Sequence, residues 1–203
     1  MKTQGGPHLR RLVANSCLCV LLIAAVMTAE SPATFASPQA ANEYEIKAAF
    51  LLNFAKFVDW PPKSFSDAQS PFLICVIGHD PFGPVLDSSA IGRTVDDRVV
   101  EVDRYPNTRN LSEAQHCHIA FVSASEKQHF RKVIDSFQGK SVLLVSDADG
   151  FASEGGVIEF QMADDHVGFV INPDAASRAD LQVSSKLLDL AKIVHDDPSK
   201  GKS

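Results

Sequence analysis

The sequence predicts an α/β fold: a single three-layer domain with a mixed central sheet of about five to six strands flanked by helices. Two short runs, Phe72–Ile77 and His118–Ser123, are continuously apolar or nearly so, as strands buried on both faces are. Between and after them lie segments whose apolar residues recur at helical spacing, above all Phe130, Val133, Ile134 and Phe137. Buried strands alternating with helices call for a sheet covered on both sides. Internal repeats and long linkers are absent, so one domain spans residues 43–195.

The chain has 203 residues and a formal net charge of −6. Residues 1–36 read as a cleaved secretory signal. Lys2, Arg10 and Arg11 precede an apolar run from Leu12 to Met27, and Thr34-Phe35-Ala36 is a plausible cleavage site. The run is short and interrupted by Asn15 and Ser16, which disfavours a permanent span. Residues 37–42 are then expected to be a disordered mature terminus and 196–203 a frayed tail. The mature domain, having no second long apolar stretch, is expected to be exported as a soluble domain and not to span the membrane. Its acidic, charge-mixed surface excludes a nucleic-acid partner.

Cys17 and Cys19 fall in the expected leader, which leaves Cys75 and Cys117. In an oxidising compartment such a pair predicts one disulfide, two separate buried thiols being the alternative. A bridge closing a loop of about 42 residues would stabilise the fold by roughly 4 kcal/mol in the chain-entropy picture.

The opening helix is expected over Glu43–Phe57, started by Asn42 with Glu45 and stopped by Trp60-Pro61-Pro62. Ile46, Ala49, Phe50, Asn53, Phe54 and Phe57 form one arc, and its apolar members Ile46, Phe50, Phe54 and Phe57 are assigned to the core. Leu51, Leu52, Ala55 and Val58 form a second arc. A helix apolar nearly all round must be covered on more than one side. Leu51, Ala55 and Val58 are therefore the expected contact with another chain. Asn53, an amide inside the main arc that needs partners, is the expected ligand contact.

After the Phe72–Ile77 strand, Asp80–Asp87 is expected to be a short helix with Pro81 at its first position. Arg98–Asp103 should be a strand near an edge, and Ser112–Gln115 a helical turn. Ser123 or Ser125 can cap the helix that Gly139 ends. Val142–Val145 follows as a strand, then a polar loop from Asp147 to Gly156. Val157–Met162 and Val167–Ile171 flank Ala163-Asp164-Asp165 and predict a hairpin. Helices are expected over Asp174–Ala179 and Ser184–Val194.

Sequence patterns for chemistry fail on inspection. Gly78–Gly83 has the glycine spacing of a phosphate loop, but Pro84-Val85 stands where Lys and Ser/Thr are required. In His116-Cys117-His118, strand alternation would separate the cysteine from the histidines, leaving both histidines exposed rather than bound to metal. Asp147-Ala148-Asp149-Gly150 lacks the glutamate of a calcium loop and reads as a solvated acidic turn. Ser184-Ser185-Lys186 has Leu187 where a nucleophile motif needs lysine. The expectation is a protein that is not an enzyme and needs no cofactor.

The run Tyr44-x-Ile46-Lys47-Ala48-Ala49-Phe50-Leu51-x-Asn53-Phe54-Ala55-Lys56-Phe57-Val58-x-Trp60-Pro61 resembles the signature of the YfiR-like family of small periplasmic signalling proteins. The resemblance continues through Cys75-Val76-Ile77-Gly78, Asp80–Gly83, Gly92-Arg93, Cys117–Phe121, Val145-Ser146-Asp147, Gly155-Gly156 and Val183-Ser184-Ser185. It implies an α/β regulator, able to dimerise, that binds the periplasmic sensor domain of an inner-membrane diguanylate cyclase and represses it, controlling cyclic di-GMP and biofilm growth. The Cys75–Cys117 bridge carries over with it. A second bridge found in some members has no cysteines here. Related domains work beside sensor kinases, so a small-ligand-binding module presenting its ligand to such a receptor is the alternative.

Overall fold

The structure, a computed structural model, describes residues 38–163 and 166–196. The expected leader, the Asp164-Asp165 turn centre and the tail beyond Asp196 lie outside them. Four parallel strands make the middle of the sheet: β2 (Phe72–Ile77), β4 (Arg98–Tyr105), β5 (Ile119–Val122) and β6 (Leu143–Ser146). β5 and β6 are buried at every position and β2 at all but one, which is why their sequences are apolar without alternation. The hairpin β7 (Ile158–Ala163) and β8 (His166–Ile171) follows, β7 joining parallel to β6 and β8 antiparallel to β7.

Among the described residues the sheet has eight strands, in the order β10-β8-β7-β6-β5-β2-β4-β3. The excess over five to six comes from the edges. β3 (Thr94–Val95) and β10 (Lys192–Ile193) are two residues each, too short to show any period. The hairpin is therefore not the outermost element on its side, because β10 adds parallel to β8.

Helices cover both faces. α1 (Pro38–Phe57) and α2 (Pro84–Ala90) pack on one side with Phe54, Phe72, Phe121 and Phe160. α3 (Phe130–Ser136) lies on the other with Ile77, Val133 and Phe151. A 3-10 turn leads into α3, started by Ser123, whose Oγ accepts the Ser125 N–H. The connection β2–α2–β4 runs over the first face and β5–α3–β6 over the second. The strand order thus reverses between β2 and β5, the switch point of a doubly wound sheet.

Three helix expectations change. α1 begins at Pro38, so the stretch expected to be loose is helical from there. α2 starts at Pro84 rather than near Asp80, proline again taking an early helical position. The expected helix over Ser184–Val194 is only α5 (Ser185–Leu188), capped by Ser184, before the chain turns into β10. α4 (Pro173–Arg178) forms as expected, its Ala175 N–H bonded to the Asn172 side chain at 3.0 Å.

α1 buries more than the face assigned from its sequence: of the expected core residues Phe54 is buried and Phe50 packs against the core, but Ile46 and Phe57 are not, and the second arc is buried as well. Ala48, Leu51, Leu52, Phe54, Ala55 and Val58 are core, whereas Ile46 and Phe57 are exposed. Each buried leucine contributes about 2 kcal/mol through area removed from water. At the end of α1, β1 (Val58–Asp59) pairs antiparallel with β9 (Gln182–Val183), and the Ser184 N–H reaches the Phe57 carbonyl at 2.9 Å. The first helix and the last segment of the domain are stitched together.

Candidate functional site

In a doubly wound sheet, the crevice beyond the strand ends at the switch point is where ligands sit. Here it is closed by the protein itself. Gly78, leaving β2 at φ +96°, lies so near β5's exit that a Cβ would come within 2.6 Å of Ser125 Oγ. That contact admits only glycine. His79 N–H donates to Ser125 Oγ at 3.0 Å, and Phe82 packs edge-on against Phe121 and Tyr44. Arg104 of β4 holds the loop from outside. Its guanidinium donates to Asp80 at 2.7 Å, to Asp87 at 2.5 and 2.9 Å, and to the Gly83 carbonyl at 3.0 Å. Those bonds hold the Asp87 carboxyl below its ordinary range and the Arg104 guanidinium above its own.

Beside the closed crevice lies a buried charge cluster. Lys47 is 4% exposed, its ammonium 2.5 Å from Glu43 and 3.0 Å from Asp147, at the exit of β6. Tyr44 donates to the same Asp147 oxygen at 2.8 Å. Burial, then the Asp147 carboxylate, pushes the Tyr44 phenol well above its usual range. Asp147 is thus no solvated turn residue: its side chain is 6% exposed, and Oδ1 has no donor among the described residues. The cluster ties α1 to the sheet and fixes the rotation of the helix.

His118 forms a second buried polar centre. The sequence suggested two exposed histidines; His116 is exposed, but His118 is 3% exposed and stacked between Phe65 and Phe72 at 4.5 and 4.8 Å. His116 lies in a 3-10 turn, so strand alternation never applied to it. His118 Nδ1 accepts the Leu73 N–H at 3.0 Å, which places the ring proton on Nε2. Nε2 is enclosed near the Ser64 backbone without a well-formed bond. Burial is the largest cause that lowers the imidazole pKa to about 4, with Arg98 and His116 adding to it. The ring is neutral and structural.

Cys75 and Cys117 are bridged, Cα to Cα 6.0 Å, joining β2 to the entrance of β5 on the α3 face. Leu51, Ala55 and Val58, expected to meet another chain, are at most 4% exposed inside this one. They cannot form a partner surface. Asn53 is exposed, as a ligand contact requires, and lines a recess of about 240 Å³ with Lys56, Arg93 and Thr94. A larger groove of about 590 Å³ lies between α3 and α4, floored by Ile134, Phe137, Val142 and Leu144. Ser153, Glu154 and Gly155 of the expected polar loop form part of its wall. The loop keeps its shape because Phe151 fills the space that a side chain at Gly156 would need. The sequence offered no signal for Lys47, Asp147 or His118 as buried groups, although all three stand inside the runs that carry the family resemblance.

These features define a disulfide-bridged, doubly wound α/β domain whose strand-end crevice is filled by its own side chains. The chain belongs to the YfiR/HmsC-like family, whose profile matches residues 44–192. No curated relative matches it in sequence. Among solved structures it is similar to a conserved domain protein from Vibrio cholerae, with a TM-score of 0.50 at 9% identity, over 76% of this chain and 60% of that one. It is also similar to an ABC domain in complex with L-Trp from Streptococcus pneumoniae, with a TM-score of 0.45 at 11% identity, over 61% and 55%. The chain thus spans about 60% or less of the length of the structures it matches. The first likeness supports the fold alone.

Proposed function

We propose that the protein is a periplasmic regulator that binds the sensor domain of an inner-membrane signalling protein, a diguanylate cyclase, and holds it inactive. The observation that carries this reading is family membership over residues 44–192. The disulfide suits an oxidising compartment, and among the described residues no helix is long and apolar enough to cross a membrane. In this reading the protein acts by contact rather than catalysis, alone or as a homodimer. On the opening helix, the surface left for a partner is the outer strip with Ile46 and Phe57, not the buried Leu51, Ala55 and Val58. Affinity capture from a detergent-solubilised envelope tests this. A membrane cyclase should be recovered, and deletion of the protein should raise cyclic di-GMP. Failure of both outcomes removes the reading.

A second reading is a module that takes up a small ligand and presents it to a sensor kinase or other receptor. The two recesses favour it: Asn53, the expected ligand contact, lines the smaller, and Ser153, Glu154 and Gly155 of the polar Asp147–Gly156 loop line the larger. Native mass spectrometry of the purified protein should then show a co-purified small molecule.

A further inference from the structure

The smaller recess differs from the larger one in charge: the larger is lined by Arg131 and Arg178 but also by Glu154 and Asp196. In the larger groove, Arg178 is already paired with Asp196, and Glu154 adds negative charge to the wall. In the smaller recess, Asn53, Lys56, Ser89, Arg93 and Thr94 converge, and no hydrogen bond or ion pair engages their side chains among the described residues. A chain with 25 acidic and 19 basic residues readily pairs its cations. Here two cations unpaired among the described residues share one opening, and no carboxylate of the described residues lines it. Beneath them Leu52, Val95 and Val100 are buried and make an apolar floor.

The placement of these groups is firm. Asn53 and Lys56 are one turn apart on α1, so they project from the same side of the helix. Arg93 follows the turn at Gly92, which takes φ +69°. Its carbonyl accepts the Val100 N–H at 3.1 Å, and its N–H donates to the Ala90 carbonyl at 2.9 Å. The guanidinium therefore extends from an anchored backbone, and its fork matches a carboxylate or phosphate in two parallel bonds. A volume of about 240 Å³ equals roughly eight waters at about 30 Å³ each, enough for one headgroup and a few carbons.

We propose that this recess binds a small organic anion, its carboxylate or phosphate held by Lys56 and Arg93 and its carbon body seated on Leu52, Val95 and Val100. The proposal rests on the ligand-module reading and adds a place and a charge to it. The test is calorimetric and NMR titration of the purified protein with butanoate, butyl phosphate, inorganic phosphate and butylammonium. One of the butyl anions should bind saturably at 1:1, and the tighter of the two identifies the headgroup. Butylammonium should not bind, and inorganic phosphate should bind more weakly than butyl phosphate. Lys56→Gln and Arg93→Gln, both at exposed positions, should each weaken binding at least tenfold with an unchanged melting temperature. No saturable binding of either butyl anion overturns the proposal, as does equal binding of butylammonium. An anion bound with full affinity by both variants overturns this site while leaving the ligand-module reading standing.

Discussion

Acid should weaken this protein through one ring, His118. Its folded pKa is about 4, against an ordinary value of about 6.5 in an unfolded chain. Between those values the unfolded chain binds a proton that the folded one refuses. Stability therefore rises with pH in this window, and acidification removes it. The loss begins as pH falls through about 6.5 and is complete near 4. At about 1.36 kcal/mol per unit the ceiling is near 3.4 kcal/mol, and the ring's small residual contact with solvent reduces this to about 2–3 kcal/mol. The partner comparison is His118→Phe, which keeps the stack between Phe65 and Phe72 but cannot titrate. It also leaves the Leu73 N–H without its acceptor, so it should be less stable at pH 7.5 by about 1–3 kcal/mol. Urea unfolding of both proteins from pH 7.5 to 4 separates the two effects. Carboxylates contribute equally to each and cancel in the difference. The gap between the two proteins should narrow by about 2–3 kcal/mol on acidification. A gap that stays constant across the range would show that His118 is not held neutral by its burial.

Cys75→Ser or Cys117→Ser should cost about 2–5 kcal/mol, in line with a loop of 42 residues, and identical melting with and without reductant would contradict it. Leu51→Glu should leave the protein unfolded by circular dichroism, because a carboxylate would be placed in the core. Phe57→Glu should remain folded and lose capture of the membrane partner; retained capture would exclude the outer strip of α1 from the interface. Lys47→Met should cost about 3–5 kcal/mol by leaving Glu43 and Asp147 unpaired, and adding Asp147→Asn should recover part of the loss. Equal melting temperatures for Lys47→Met and the parent would rule out a net contribution from the cluster.

The layered fold was legible because buried parallel strands have an unmistakable texture. Phe72–Ile77 and Ile119–Val122 are apolar throughout, and no amphipathic helix reads that way. The two-residue strands were invisible for the opposite reason, since an edge pair such as Thr94-Val95 carries no pattern at all. α1 was legible as a helix but not in its rotation. Periodicity finds arcs, and this helix has two of comparable apolar character. The buried side takes Phe54 from one and Leu51, Leu52 and Ala55 from the other, and it includes Lys47, a residue that sequence reasoning sends to water. Its stem packs in the core and its ammonium meets Asp147, 100 positions later. With it Leu51, Ala55 and Val58 face inward and Ile46 and Phe57 outward. Asn53, singled out as an amide within an apolar arc, lines the smaller recess. Arg93 was missed as its neighbour because only the fold brings the turn at Gly92 against the helix.

The short ladder between β1 and β9 has a further meaning in time. The opening helix is the first part of the domain to be synthesised, yet its closing partners, Gln182-Val183 and the Ser184 N–H, are among the last. Its inner row of leucine, phenylalanine and valine cannot be sealed until nearly the whole domain is present. A nascent or translocating chain must therefore keep that row exposed, where it invites aggregation or the grip of a chaperone. Cleavage just before Gln182 in the finished protein would act at the other end of the sequence, releasing the end of the first helix from its seat.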